Sequence, residues 1–324
     1  MAVDQSRIEW TDATWSPVRG CSIVSKGCTN CYAMRQGHRF NYAGGPYEGL
    51  TKLTKGGPVW SGEIRLVPEL LDAPLHWKRP RRIFVNSMSD LFHERVSDEY
   101  ITSVWRTMAD AQQHIFQILT KRPQRMLDYL LPSLSIGGII AAPLPNVWLG
   151  VSVEDQATAD ERIPLLLQAP AAVRFISAEP LLGAISLGAV GNGPWWNTLT
   201  GCGDRAGPQG LEHMEQVKPL NWIIVGGESG HGARPMHPDW ARSLRDQCAA
   251  ARVPFFFKQW GNWMPTRSII PGARSGAIDI EGKVPPLSEL DKMVAGKGRV
   301  LMARVDKKTA GRELDGRTHD EYPA

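Results

Sequence analysis

Ile83-Phe84-Val85-Asn86-Ser87-Met88-Ser89-Asp90 is a short apolar run that ends in polar residues. The pattern returns at His114-Ile115-Phe116-Gln117-Ile118-Leu119-Thr120-Lys121-Arg122 and at Val147-Trp148-Leu149-Gly150-Val151-Ser152-Val153-Glu154. It continues at Val173-Arg174-Phe175-Ile176-Ser177-Ala178-Glu179, Trp222-Ile223-Ile224-Val225-Gly226-Gly227-Glu228 and Val253-Pro254-Phe255-Phe256-Phe257-Lys258-Gln259-Trp260. Near-continuous apolar runs of this length fit strands buried on both faces of a parallel sheet. Between them, 98–112, 123–131, 155–168 and 238–251 have helical spacing, with Asp98 and Asp155 placed as N-caps. Strand-helix repeats with polar residues at each strand's C-terminal end predict an α/β fold, a parallel β/α barrel of TIM type, complete or partial.

The rest of the chain is organised around this rhythm. Residues 1–263 read as the barrel and 264–324 as a C-terminal extension without apolar periodicity, a peripheral tail of mixed charge with at most a hairpin. Residues 186–220, rich in Gly and Pro and holding Trp195, Trp196 and Cys202, read as a long loop inserted over one end of the barrel. Residues 129–153 carry no charge, but Pro132, Pro143, Pro145 and Asn146 break the run into a helix end, a loop and a buried strand rather than a membrane span.

Of the 324 residues, 42% are hydrophobic and 22% charged, ordinary globular composition that excludes wholesale disorder. A net charge of +4, from 37 basic and 33 acidic residues, permits nucleic acid as a partner without demanding it. Lys78-Arg79-Pro80-Arg81-Arg82 beside Trp77, Lys121-Arg122 and the basic tail are the places that would meet phosphates. Residues 1–7 contain no apolar h-region, so neither a signal peptide nor a membrane association is expected, and the chain is expected in the cytoplasm.

Cys21-Ser22-Ile23-Val24-Ser25-Lys26-Gly27-Cys28-Thr29-Asn30-Cys31 follows a candidate strand around Ala13 to Val18. Five cysteines, three of them in eleven residues, suit metal or cluster ligation in a reducing compartment better than disulfides. Three thiolates can hold a cubane 4Fe-4S cluster and leave its fourth iron open to a small molecule. Structural zinc is the competing reading, because His38 would complete a Cys3His set. It would make the chain a zinc- or cluster-stabilised binding protein without catalysis.

Trp15-Ser16-Pro17-Val18-Arg19-Gly20-Cys21 with Gly27-Cys28-Thr29-Asn30-Cys31-Tyr32-Ala33 resembles the N-terminal motif of radical S-adenosylmethionine proteins of the spore photoproduct lyase-like type. It resembles still more closely the three-Cys-motif proteins of phages and mobile elements. The resemblance extends through Met88-Ser89-Asp90-Leu91-Phe92-His93, Leu119-Thr120-Lys121-Arg122-Pro123, Gly150-Val151-Ser152-Val153-Glu154 and Gly226-Gly227-Glu228-Ser229-Gly230, to about residue 263 and again around Asp315-Gly316-Arg317. The spacing here is C-x6-C-x2-C, where the common radical pattern is C-x3-C-x2-C with an aromatic before the last cysteine, a place taken here by Asn30.

The resemblance implies that Cys21, Cys28 and Cys31 ligate a 4Fe-4S cluster whose open iron chelates S-adenosylmethionine. Reductive cleavage, fed by an external electron donor, would yield a 5'-deoxyadenosyl radical that acts on a substrate, with nucleic acid or a nucleobase as the expected class. It also implies a three-Cys-motif partner protein. Asp90 corresponds to the group that holds the cofactor's ammonium, with helix capping as the alternative, and Ser152 and Glu154 to groups near its ribose, again with capping as the rival. Lys121 and Arg122 suit a carboxylate or phosphate, and Glu179 and Glu228 face cofactor, substrate or Arg122. Lys258, Gln259, Trp260 and Trp263 complete the mouth or pack beneath it. The glycines after Val225 lack the spacing of a dinucleotide fingerprint, which excludes a Rossmann cofactor.

Overall fold

A computed structural model describes residues 2–3, 5–133, 143–193, 195–207, 210–214, 217–270, 272–284 and 298–324. Its main sheet has eight strands: β1 (Ala2–Val3), β2 (Ala13–Trp15), β3 (Arg82–Val85), β4 (Ile115–Thr120), β5 (Val147–Ser152), β6 (Val173–Ala178), β7 (Trp222–Gly226) and β8 (Phe255–Gln259). They lie side by side in chain order. β1 pairs antiparallel with β2, and the other seven form a parallel sheet compatible with a partial β/α barrel. Every one of the six apolar runs became a strand, because each is flanked by residues that end it and none is long enough for a helix of ordinary length.

The helices that follow the strands are α1 (Tyr32–His38), α2 (Asp98–Asp110), α3 (Pro123–Ser133), α4 (Gln156–Gln168) and α5 (Pro238–Ala251), with a short α6 (Lys307–Ala310). One cap differs from expectation, that of α2. Ser97 caps α2 by accepting from the Tyr100 amide, and Asp98 sits in the first turn, where its charge favours the helix N-terminus. Asp155 caps α4 as expected, accepting the Thr158 amide at 3.0 Å. The loop expected between α3 and β5 lies across 134–142, outside the described residues. No helix among the described residues is long and apolar enough to cross a membrane.

Two compact units divide the chain. The first is Met1–Val151 with Gln168–Phe175, and the second is Ser152–Leu167 with Ile176–Ala324. In the first, β2, β3, β4 and β5 pair in parallel register, and their inward side chains, among them Trp15, Val85, Phe116, Ile118 and Leu149, are almost fully buried. A hairpin of Thr51–Thr54 and Gly57–Trp60 stands against α1, where Trp60, Tyr47, Leu50, Ala33 and Met34 make a small separate core.

In the second unit the structure corrects two expectations. The 186–220 insertion is not a loop throughout: Trp195–Asn197, Cys202–Gly207 and Gly210–Met214 form an antiparallel sheet. The C-terminal extension is not a solvated tail. Trp263–Pro265, Arg274–Asp279 and Arg299–Arg304 form a second antiparallel sheet, so the expected boundary at 263/264 falls just before its first paired residues are complete. The segment after α6 returns to the main sheet, where the Phe257 amide donates to the His319 carbonyl and Phe256 bridges Asp320. Leu314 is fully buried in that segment, as Ala303 is in the second antiparallel sheet. Ser275, Gly276 and Ala277 fill the middle of Arg274–Asp279, and the apolar run of Arg299–Arg304 is a single short one, which is why no apolar alternation announces these strands.

Candidate functional site

The cysteine loop leaves the short strand Val18–Arg19 at Gly20, which bridges Ser89 just past β3. Gly20 has φ +83°, and a Cβ there would lie 2.3 Å from the Glu63 carbonyl oxygen, so no other residue fits this turn without displacement. The loop is pinned to the segment after β3. The Val18 amide donates to Asn86 Oδ1 (3.2 Å), Ser89 Oγ to the Val18 carbonyl (2.7 Å) and Tyr32 Oη to the Ser87 carbonyl (2.6 Å). The polar tail of the apolar run at 83 thus serves as the bed of the cysteine loop.

All three thiols of the loop are free and half-buried, and Cys31 occupies the N-cap of α1. Cys21 and Cys31 pack beside the small core of Met34, Tyr47 and Trp60. Burial pushes the Cys21 thiol up to about 12, the Asp90 charge adds to this, and the Arg122 guanidinium opposes it. Burial also raises Cys31, against the amides of Ala33 and Met34 and the charge of Lys121. Among the described residues no three His, Cys, Asp or Glu side chains stand together in metal-holding geometry.

Arg122 is the centre of the polar network at the C-terminal end of β4. Its Nη1 donates to Asp90 Oδ2 (3.0 Å) and lies 4.0 Å from Cys21 Sγ, its Nε donates to Glu94 Oε1 (2.7 Å), and its Nη2 to Ser22 Oγ (2.7 Å). Arg122 and Asp90 are both almost fully buried. Burial alone would lower the Arg122 pKa, but Asp90, Cys21 and Glu94 outweigh it and hold the guanidinium charged. Asp90 also accepts from Thr120 Oγ1 (2.8 Å), the Lys121 amide (3.2 Å) and the Phe92 amide (3.0 Å). It does not cap α2, which Ser97 caps; it fixes the strand-end backbone and aims Arg122.

Ser22 and His93 were not singled out by sequence, and they complete the network. Ser22 Oγ is 3.0 Å from His93 Nε2, and Glu94 Oε2 is 3.6 Å from His93 Nδ1. The grouping has the composition of a hydrolytic triad but the wrong polarity. The Arg95 amide donates to His93 Nδ1 (3.2 Å), so a neutral ring carries its proton on Nε2 and donates to Ser22. Burial, reinforced by Arg122, lowers the His93 pKa and favours that neutral form. His93 therefore cannot take a proton from Ser22, and Ser22 Oγ accepts from both His93 and Arg122.

His38, the fourth ligand of the zinc reading, bonds Thr51 Oγ1 through Nδ1 (3.0 Å). The basic run Lys78–Arg82 leads into β3, whose first residue is Arg82, whereas the cysteine loop is bridged to the segment past the other end of β3, so within this unit the two occupy opposite strand ends. Arg82 is already paired with Asp12 (3.0 Å).

In the second unit the strand-end acids are paired one by one. Glu154 is completely buried and meets Arg162 Nη1 at 3.2 Å, and the same nitrogen donates to the Ser152 carbonyl (2.7 Å). Glu179 accepts from Lys258 Nζ (2.8 Å) and Gln259 Nε2 (2.9 Å). A Cβ on Gly226 would sit 3.2 Å from that carboxyl group, which is why glycine ends β7. Glu228 accepts from the Arg234 amide and its Nε, both at 2.8 Å.

A family profile matches residues 5–323, nearly the whole chain. The chain belongs to the DUF5131 family. DUF5131 is described as a protein of unknown function. No curated protein and no solved structure matches the chain.

Proposed function

We propose that the chain is a radical S-adenosylmethionine enzyme whose Cys21, Cys28 and Cys31 hold a 4Fe-4S cluster, acting on nucleic acid or a nucleobase. The observation that carries the reading is a loop of three free thiols, pinned at a strand exit, with the Cys21 sulfur 4.0 Å from a buried guanidinium. The donor set fits the group: soft sulfur ligands in a half-buried setting are what iron-sulfur clusters take. When bound, the cluster supplies the electron for reductive cleavage of S-adenosylmethionine.

The chain's own residues supply the setting for that chemistry. Arg122 offsets negative charge beside Cys21 and is locked by Asp90 and Glu94, so it needs no reorganisation when charge builds up there. The Met34–Tyr47–Trp60 core excludes water from one side of the loop. Asp90, Lys121 and Arg122 stand at strand ends of the first unit, where a β/α barrel would carry its active site, and suit a zwitterionic cofactor, whereas Glu154, Glu179 and Glu228 of the second unit are each closed by a cation of their own. An external electron donor and a three-Cys-motif partner protein belong to the same reading, and a reducing cytoplasm is the compartment that suits it.

Anaerobic reconstitution with iron and sulfide tests it. About four irons and four sulfides per chain are expected, together with 5'-deoxyadenosine and methionine from S-adenosylmethionine after chemical reduction. Stoichiometric zinc without sulfide, or turnover no faster than that of the triple Cys→Ala variant, overturns it.

A further inference from the structure

Between β2 and β3 the chain makes a long excursion that carries the cysteine loop, α1 and the hairpin. Residues 19–65 hold seven Lys or Arg and two acids, a net +5 where the whole chain has +4, so everything outside the excursion is close to neutral in sum. The two acids leave this excess in place. Glu63 pairs with Arg95, a cation from outside the stretch, and Glu48 accepts from the Gly44 amide (2.9 Å).

Surface arginines elsewhere are matched to carboxylates, as Arg125 is to Asp98, Arg242 to Asp315 and Arg312 to Asp320. Those of α1 and the hairpin are not. Among the described residues Arg35, Lys52 and Lys55 have no carboxylate within ion-pair distance, and Arg39 Nη1 donates to the side-chain oxygen of Gln36 (3.3 Å). Arg35 and Arg39 stand one turn apart at the end of α1 and so share a face. Arg35 Nη2 is 3.8 Å from the place a Cβ on Gly57 would take, which brings that face to the Lys55-Gly56 turn of the hairpin. Unmatched cations grouped in this way attract a polyanion.

The same stretch exposes apolar surface. Of the eleven large hydrophobic side chains exposed among the described residues, five lie here: Ile23, Val24, Tyr32, Tyr42 and Leu53. Tyr42 is 59% exposed and only three residues past Arg39. Cations beside an open aromatic ring are the pairing that single-stranded nucleic acid uses, phosphates on the cations and a base on the ring. A duplex keeps its base faces inside the stack, and an acidic protein offers no such face.

We infer that this excursion is a binding surface for single-stranded nucleic acid, with backbone phosphates on Arg35, Arg39, Lys52 and Lys55 and a base stacked on Tyr42. It rests on the proposed function for its purpose: α1 begins at Cys31, so a strand held along α1 runs beside the cysteine loop. The binding itself needs no cluster.

Fluorescence anisotropy of a labelled oligodeoxythymidine of about fifteen nucleotides with the metal-free full chain tests the surface. Saturable binding is expected, falling about fiftyfold between 50 and 200 mM salt, because four phosphate contacts give a slope of about −2.8 for a single strand. Lys52→Gln with Lys55→Gln, both at exposed positions of the hairpin, should reduce that slope by about 1.4. Adding Arg35→Gln and Arg39→Gln should remove most of the remainder. Tyr42→Ala should weaken binding about fivefold or more without changing the slope, and Tyr42→Trp should restore it. Lys78→Gln with Arg79→Gln, at the opposite strand end, should change nothing. A slope indifferent to the hairpin pair, an affinity indifferent to Tyr42→Ala, or polyglutamate competing as well as the oligonucleotide overturns the inference, the last by assigning the surface to an acidic protein. Binding that persists in a chain unable to take up iron and sulfide keeps this surface and removes the radical reading; a loaded cluster in a chain that binds no oligonucleotide does the reverse.

Discussion

The strand ends of the two units treat charge differently. In the first, one guanidinium gathers Asp90, Glu94 and Ser22 and still reaches toward the Cys21 sulfur. In the second, Glu154, Glu179 and Glu228 are each closed by a cation of their own. A closed pair satisfies its own burial and asks nothing more of its surroundings. The Arg122 network instead gathers three oxygens around one guanidinium and reaches a cysteine sulfur as well, and such convergence of charged groups is more common at functional sites than at isolated ion pairs.

The largest test of the contrast is loss of the sulfur donors. Cys21→Ala, Cys28→Ala or Cys31→Ala should each abolish cluster retention, whereas Cys202→Ala and Cys248→Ala should leave iron content unchanged, by metal and sulfide analysis of reconstituted protein. A requirement for Cys202 would transfer the functional weight to the second unit and reverse the comparison. Next comes the buried pair of that unit. Arg162→Met leaves the Glu154 charge without its cation and should cost about 3–5 kcal/mol in urea unfolding, while iron content per folded chain stays that of the parent. A loss of iron there would make Glu154 part of the site.

The thiols give a smaller and chemically separate test. In the metal-free chain Cys21, pushed up to about 12, stays protonated at pH 8, so iodoacetamide should reach the exposed Cys202 first. Modification of Cys21 should lag by roughly a hundredfold or more, read by peptide mass spectrometry. Equal rates would mean that the loop thiols are open to solvent.

The smallest effect concerns Asp315, which Arg242 and Arg245 hold down at about 2. A carboxyl lowered in the folded state stabilises above its unfolded value and loses that contribution as pH falls through the folded one. Asp315→Asn should therefore reduce stability at pH 7, by roughly 1 kcal/mol or less because the group is partly exposed and screened. Parent and variant should converge near pH 2. A difference that persists there would assign the effect to packing.

The strands were legible in sequence because buried parallel strands carry their signal in adjacent residues, as Ile83–Val85 and Trp222–Val225 do. The cysteine loop was legible for the same reason, since its spacing is local. Arg122 and Asp90 were visible as polar strand ends, but their joint role was not, because Arg122 meets Glu94 across 28 residues and Cys21 across 101. Ser22 and His93 carried no pattern of their own, and the polarity of their bond depends on the Arg95 amide. The C-terminal extension was misread because its strands are short and widely separated: Ser275-Gly276 interrupts Arg274–Asp279, and the apolar Val300–Met302 stands alone without alternation, so their burial comes from pairing rather than from a repeated pattern.

That returning segment has a bearing on biosynthesis. β8 is an outer strand of the main sheet, and the residue whose carbonyl accepts the Phe257 amide, His319, is translated some sixty residues later. At about 5–20 residues per second, Phe255-Phe256-Phe257 waits roughly 3–12 s with its outer edge bare. During that interval the strand is a template for a neighbouring nascent chain, and chaperone occupancy of translating ribosomes should peak while it lasts.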